Sequence, residues 1–321
     1  MKKIRLIIPY FGKLPKFFPY FLLTAKRNQK IDFLIYTDQN VDQLEILNAE
    51  NIEFKTLSFD DLRKKVQSKF DFEISLKTPY KLCDYKVAYG FIFEEELKGY
   101  DYWGFCDTDV LLGDIYQFLE EHSFFENDYA RYGLLGHLQI FKNSQEVNHV
   151  FMSGQGLNYR LDYHNVFTSE QNFIFDEAEG IQKLFEKSGF EQLQDKFFDD
   201  IDISHFSFRE YGEDEPKRYY FWSQQDGLKS INLIDGKIVV KHPLYTHFQK
   251  RKIECPEFEL VESFYVIPNK LVFGEELSIQ EIEEVTKNKF YWTYWKRIFR
   301  SKLNIEKYSI GFIRHKLRMK K

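Results

Sequence analysis

Residues 4–36, IRLIIPYFGKLPKFFPYFLLTAKRNQKIDFLIY, set two apolar runs, 4–9 and 31–36, on either side of an aromatic segment, 17–27. Short apolar runs bounded by turn residues read as strands buried on both faces, and the longer stretch between them reads as a helix. Gly12 and Pro15 mark the loop that leaves the first strand. Further along, residues 39–50 suit a second helix and residues 52–57 alternate as a third strand. The order β-α-β-α-β predicts an α/β fold, with a mostly parallel central sheet flanked by helices.

The same reading continues with a helix over 60–68 and another over 87–97, for which Gly99 is the stop. A strand follows at 102–106, and Gly113-Asp114 caps a helix over 115–121. Residues 136–142 read as a strand and 145–151 as a helix. Asp235-Gly236, between two apolar runs, signals a hairpin, and 243–248 is extended. No internal repeat or linker divides the chain, so the expected organisation is one catalytic domain, 1–286, and a basic extension, 287–321.

The strand at 102–106 runs directly into Asp107-Thr108-Asp109. Ligands of open α/β sheets bind beyond the carboxyl ends of strands. Residues i and i+2 of an extended segment share a face. Two ionised carboxylates converging there repel one another unless a cation sits between them. A hard divalent ion, shared with a diphosphate, resolves that repulsion. The tripeptide Asp200-Ile201-Asp202 has the same spacing, but it lies in the charged run 195–202, which reads as solvated surface.

With these residues in view, the chain resembles the bacterial polysaccharide-biosynthesis glycosyltransferases of the GT-A fold, which act on capsule, exopolysaccharide or lipopolysaccharide. The resemblance is carried by residues 7–15, by 79–86 through the 102–109 block, and by Tyr245-Thr246-His247-Phe248-Gln249-Lys250-Arg251. It implies a GT-A-like (Rossmann-like) sheet, a UDP-sugar donor, and Mn²⁺ or Mg²⁺ held by Asp107 and Asp109, Asp107 also serving the ribose. It makes His247 the candidate third metal ligand, and places Lys250 and Arg251 at the leaving diphosphate. Pro9, Tyr10, Phe11 and Gly12 would form the nucleotide pocket at the end of the first strand. Asp38 would meet base or ribose, and Asp84 and Lys86 uracil or phosphate.

An inverting transferase needs a carboxylate to deprotonate the acceptor hydroxyl, whereas a retaining one need not have such a base. The candidates are Asp176 or Glu177, after the apolar Phe173-Ile174-Phe175, and Asp226, before Gly227; His137 is a candidate for the acceptor side. The rival classes are a nucleotidyltransferase or sugar-phosphate enzyme, which lacks support from any glycine-rich phosphate loop near the N-terminus, and a non-enzymatic glycan-binding module.

Charge and cysteine usage place the chain. Residues 287–321 carry many Lys and Arg and a single acid, Glu306, interleaved with aromatics at 290–300 and 309–318. Such a segment fits an anionic inner-leaflet surface, where a lipid-linked glycan acceptor would be presented. No nucleic-acid motif accompanies the charge, so nucleic acid is not an expected partner. Cys83, Cys106 and Cys255 match no zinc or disulfide spacing and read as free thiols of a reducing compartment. The first apolar run is too short for a signal-peptide core. The expectation is a cytoplasmic protein, peripheral on the cytoplasmic face of the plasma membrane.

Overall fold

The computed structural model describes residues 1–47, 49–213, 217–287 and 289–302. The first half builds β1 (Ile4–Pro9), β2 (Ile31–Thr37), β3 (Ile52–Thr56), β4 (Tyr102–Cys106), β5 (Val110–Leu112), β6 (Arg131–Tyr132) and β7 (Leu138–Lys142). The second half adds β8 (Gln192–Leu193), β9 (Asp199–Asp200), β10 (Lys217–Ser223), β11 (Gly227–Ile234), β12 (Lys237–Lys241), β13 (Tyr245–His247), β14 (Ser263–Ile267) and β15 (Lys270–Phe273). The central sheet has the order β3-β2-β1-β4-β7-β6-β8. Its β3-β2-β1-β4 half is parallel, and β7 runs antiparallel to β4 and β6. The fold is thus α/β with a largely parallel central sheet.

Both faces of β1, β2 and β4 are covered, which is why these strands lack polar alternation, whereas the edge strand β3 alternates. Leu6, Ile8, Phe33 and Ile35 pack on one side with the helix Phe18–Arg27. Ile7, Leu34, Trp103 and Phe105 pack on the other with Leu62 and Val66 of the helix Phe59–Gln67. The first of these helices opens with Pro19 in its first turn and closes with Lys26 and Arg27 in its last, matching the preferences of the two ends. Ser58 caps the second by accepting from the Asp61 N–H at 3.1 Å, and Asp114 caps the helix Ile115–Glu121 through the Gln117 N–H at 3.0 Å. Gly104 is required where β4 passes β7, since a Cβ there would lie 2.2 Å from the Gln139 carbonyl oxygen.

Two smaller sheets complete the body. An antiparallel sheet has the order β12-β11-β10-β14-β15, and its β11-β12 turn is the expected Asp235-Gly236, with φ of +50° and +73°, the paired positive values of a type I′ hairpin. A three-stranded sheet, β5-β13-β9, joins three distant parts of the chain.

Several expectations are corrected. Residues 39–50 form no full helix but one 3-10 segment, Asp42–Leu47. The helix expected over 87–97 is broken, with a 3-10 turn at Lys86–Ala88 and one short helix, Tyr89–Ile92. Aromatic and glycine-containing sequence there follows the packing surface rather than a continuous 3.6-residue period. Residues 195–202 are solvated only at their start: Asp195 and Lys196 are exposed, whereas Asp199 and Asp202 are buried. The reading of Cys83, Cys106 and Cys255 as free thiols, by contrast, agrees with the structure.

Candidate metal and donor site

The site forms where the central sheet meets the three-stranded sheet. Residues 107–109 connect β4 to β5, and β5 pairs with β13 in a register that sets His247 against Val110. β13 pairs in turn with β9, setting His247 beside Asp200. Main-chain bonds lock this junction: the Asp107 N–H donates to the His137 carbonyl at 2.7 Å, and the Phe248 N–H to the Asp109 carbonyl at 3.0 Å. Backbone pairing alone therefore delivers Asp107, Asp109, Asp200, His137 and His247 to one place.

The donor atoms of Asp107, Asp109 and His247 all lie within 4.8 Å of one another. His247 Nε2 is 3.4 Å from Asp109 Oδ1, and Nδ1 is 2.9 Å from Asp200 Oδ1. Gln249 donates to the same Asp200 oxygen at 3.0 Å. The His137 ring lies 3.6 Å, centre to centre, from that of His247.

Lys86 is the main cation on the other flank. Its Nζ reaches Asp107 Oδ1 at 2.7 Å, Asp176 Oδ2 at 3.1 Å and the Gly136 carbonyl at 2.8 Å. A Cβ at Gly136 would stand 2.5 Å from Asp176 Oδ2, so only glycine admits this carboxylate. Asp107, Asp109, Asp176, Glu177 and Asp200 thus share one region with Lys86 and His247.

The titration pattern follows from this surplus of acid. Burial raises Asp176 to about 7, with Lys86 opposing it, and burial also raises Glu177. Burial would lower His247, but its hydrogen bonds to Asp109 and Asp200 raise it to about 9. Burial and the charge of His247 lower His137 to about 4. In the metal-free chain the proton on His247 is therefore the positive charge between Asp109 and Asp200. Oxygen and imidazole donors at this spacing fit a divalent ion of the Mn²⁺ type.

The remaining expected residues divide by location. Pro9 ends β1, and Tyr10 follows it close enough to Asp109 that burial and then this charge raise its phenol. Gly12, at φ +91°, donates its N–H to Asp38 Oδ1 at 2.9 Å, so exposed Asp38 ties together the loops after β1 and β2. Phe11 is buried against Phe59. Lys250 is exposed, its Nζ 5.5 Å from the Tyr80 ring.

Three residues engage other groups of the chain. Asp84 is fully buried, and its carboxylate accepts from Lys81 at 2.7 Å and from the N–H groups of Phe173 and Phe175. The Arg251 guanidinium is buried and donates to the carbonyls of Asp202, His205 and Phe206. Asp226 is exposed in the turn between β10 and β11 and pairs with Lys229 at 2.7 Å. In each case the partner is a structural group of the chain itself. Asp200, whose spacing matches that of residues 107–109 but whose charged run reads as solvated surface, instead joins the cluster.

A search of curated proteins returns no match. Among solved structures, the chain is similar to mouse xyloside xylosyltransferase 1 in its apo form, at 10% identity over 63% of this chain and 88% of that one, with a TM-score of 0.38. It is similar to the apo-form glycosyltransferase GlyE of Streptococcus pneumoniae TIGR4, at 9% identity over 62% of this chain and 46% of that one, TM-score 0.35. It is also similar to core-mannan synthase A of Aspergillus fumigatus in its Mn/GDP form, at 9% identity over 54% of this chain and 68% of that one, TM-score 0.30. The chain spans less than half of GlyE. A family model described as a family of unknown function matches residues 6–275, which hold every residue of the cluster from Tyr10 to His247. The chain belongs to that family, DUF6625.

Proposed function

We propose that the chain is a metal-dependent glycosyltransferase of GT-A type, moving a hexose from a UDP-sugar to a hydroxyl of a glycan in cell-surface polysaccharide synthesis. The observation that carries this reading is the convergence of Asp107, Asp109 and His247 within 4.8 Å, beside the carboxyl ends of the parallel strands β1 and β4. Asp107, Asp109 and His247 would hold Mn²⁺ or Mg²⁺. The ion supplies charge stabilisation to the departing diphosphate. Lys86 keeps Asp107 ionised and fixed. Tyr10 and Gly12 line the nucleotide side, and exposed Lys250 offers a further cation to phosphate. Glu177 is half-buried beside the cluster and is the carboxylate free to meet an acceptor hydroxyl, since Asp176 is held by Lys86.

Calorimetry with UDP, with Mn²⁺ and then with EDTA, tests the reading. Tightening by Mn²⁺ of at least about tenfold is expected, as for a ligand whose diphosphate completes a metal shell; equal affinity in EDTA would sink it. A screen of UDP-sugars for hydrolysis then identifies the donor. The pH dependence has a definite sign. The pKa of His247 is raised to about 9, so its proton stabilises the metal-free fold fully below the unfolded value, and that contribution is lost as pH rises through about 9. The ion needs the neutral ring. Mn²⁺ affinity should rise by about tenfold per pH unit between pH 7 and 8 and level off above the His247 titration. A flat Mn²⁺ titration series over that range would exclude His247 as a ligand.

The acceptor is proposed to be lipid-linked and met at an anionic membrane surface. The helix Trp292–Lys302 exposes Trp292, Trp295 and Phe299, and Phe290 just before it is 72% exposed. Tyr291 anchors the start of this helix, bonding to Asn269 Oδ1 at 3.2 Å and lying 5.2 Å from the Arg251 guanidinium. The second aromatic and basic stretch, 309–318, lies outside the described residues. No helix among the described residues is long and apolar enough to cross a membrane. Sedimentation with anionic liposomes should retain the full chain and lose it on deletion of residues 287–321; unchanged binding would refute this role of the extension.

A further inference from the structure

The metal reading uses one face of His247 and leaves a second ligand set unexplained. The donor atoms of His137, Asp200 and His247 also lie within 4.8 Å of one another. His137 is 8% exposed, and its Nδ1 is sealed from solvent without a hydrogen-bond partner. A buried ring nitrogen left unpaired is costly unless something binds it, and this ring lies 3.6 Å, centre to centre, from that of His247. Its surroundings offer little else, with the rings of Phe198 and Tyr245 packed edge-on at 6.1 and 6.2 Å.

We infer that His137, Asp200 and His247 form a second cation site, selective for Zn²⁺, whose occupation excludes the ion held by Asp107 and Asp109. The donor chemistry differs between the sets. Two carboxylates and one imidazole suit Mn²⁺ or Mg²⁺, whereas two imidazoles and one carboxylate, leaving a fourth position open, suit Zn²⁺.

Exclusion follows from the shared ring. A neutral imidazole has one lone pair, on one nitrogen, and the other nitrogen carries the proton. With Nδ1 protonated toward Asp200, at 2.9 Å, the lone pair of Nε2 faces Asp109 and completes the first set. Asp200 is then the carboxylate that orients a metal-binding histidine. With the proton on Nε2, facing Asp109 at 3.4 Å, the lone pair of Nδ1 turns to Asp200 and His137. The tautomer of His247 thus selects the ion. Zinc is expected to inhibit by taking His247 away from the donor site, without touching the nucleotide pocket.

The test uses the full chain, without sugar donor, so that its outcome is separable from the transferase reading. Zn²⁺ binding is followed by calorimetry, and Co²⁺ serves as a visible-absorption probe of a four-coordinate site. His137→Phe and His137→Asn should each weaken Zn²⁺ by about 10–100-fold and abolish the Co²⁺ bands, on the scale of losing one metal-site partner. Asp109→Asn should leave Zn²⁺ binding in place and weaken Mn²⁺. Zn²⁺ should displace Mn²⁺ from the wild-type chain, read as release of the free Mn²⁺ signal in electron paramagnetic resonance. Near-ultraviolet circular dichroism confirms that a variant is folded, and the two His137 variants guard against loss of packing in either. Undiminished Zn²⁺ affinity in both His137 variants, or simultaneous binding of Zn²⁺ and Mn²⁺, would overturn the inference. Zn²⁺ binding that follows this pattern in a chain indifferent to UDP would overturn only the transferase.

Discussion

Asp109→Ala is expected to abolish metal-dependent UDP release, lowering turnover on the order of 10²–10³-fold, the scale set by removing one preorganised charge from a transition state. The fold should survive the change. Asp109 is only partly buried, and its carbonyl, not its carboxylate, receives the Phe248 N–H. His247 keeps its bond to Asp200, so the junction of β5 with β13 stays intact. The measurement is UDP release from a sugar donor in Mn²⁺, set beside a thermal melt of the same preparation. Turnover of the wild-type chain that is equal in EDTA and in Mn²⁺ would remove the metal from the mechanism.

Asp84→Asn has the largest expected effect on stability. Lys81 and Asp84 are 3% and 0% exposed and sit 2.7 Å apart. Lys81 also donates to the carbonyls of Val166 and Gln171, while Asp84 receives the N–H groups of Phe173 and Phe175. Removing one member of a buried pair leaves the other charge without compensation, at a cost of about 3–5 kcal/mol. Adding Lys81→Met should recover part of that loss, because the stranded charge goes with it. Equilibrium unfolding in urea reads both changes. Activity should fall as well, since Asp84 fixes the segment leading into Asp176 and Glu177. A loss below about 1 kcal/mol in the single variant, the level of an exposed pair, would show that the pair is not shielded from water.

What the sequence reveals of this molecule depends on whether the relevant partner has a sequence signature. The strands β1, β2 and β4 are legible because both of their faces are buried and their apolar runs are broken only by Arg5 and Asp32 near the starts of β1 and β2. The pair Asp107 and Asp109 is legible because it directly follows such a run. Asp200 is not, because β9 is two residues long and is held by pairing with β13, more than forty residues later. A two-residue strand has no period to detect. The family resemblance directs Asp84 toward uracil or phosphate and Arg251 toward the leaving diphosphate. Apart from Lys81 beside Asp84, the partners described above are backbone N–H groups and carbonyls, which leave no trace in composition. The broken segment at 86–92 is opaque for a related reason: tertiary contacts of Tyr85, Tyr89 and Phe93 override weak local preference.

The three-stranded sheet β5-β13-β9 also bears on how the chain acquires its site. Residues 107–109 and 247 are brought together only by closing a loop well over a hundred residues long, and such non-local pairing forms after local contacts. The parallel half, β3-β2-β1-β4, needs only the first hundred or so residues, and Trp103 on its last strand is covered by Phe141 and Asn148, about forty residues further on. In refolding, Trp103 burial should therefore precede the ability to bind an ion, and a nascent chain cut before β13 should lack ion binding however well its first half has folded. An ion held as proposed by Asp107, Asp109 and His247 would report completed assembly: it would bind the finished junction and not its parts, and by mass action would draw the last strands into place.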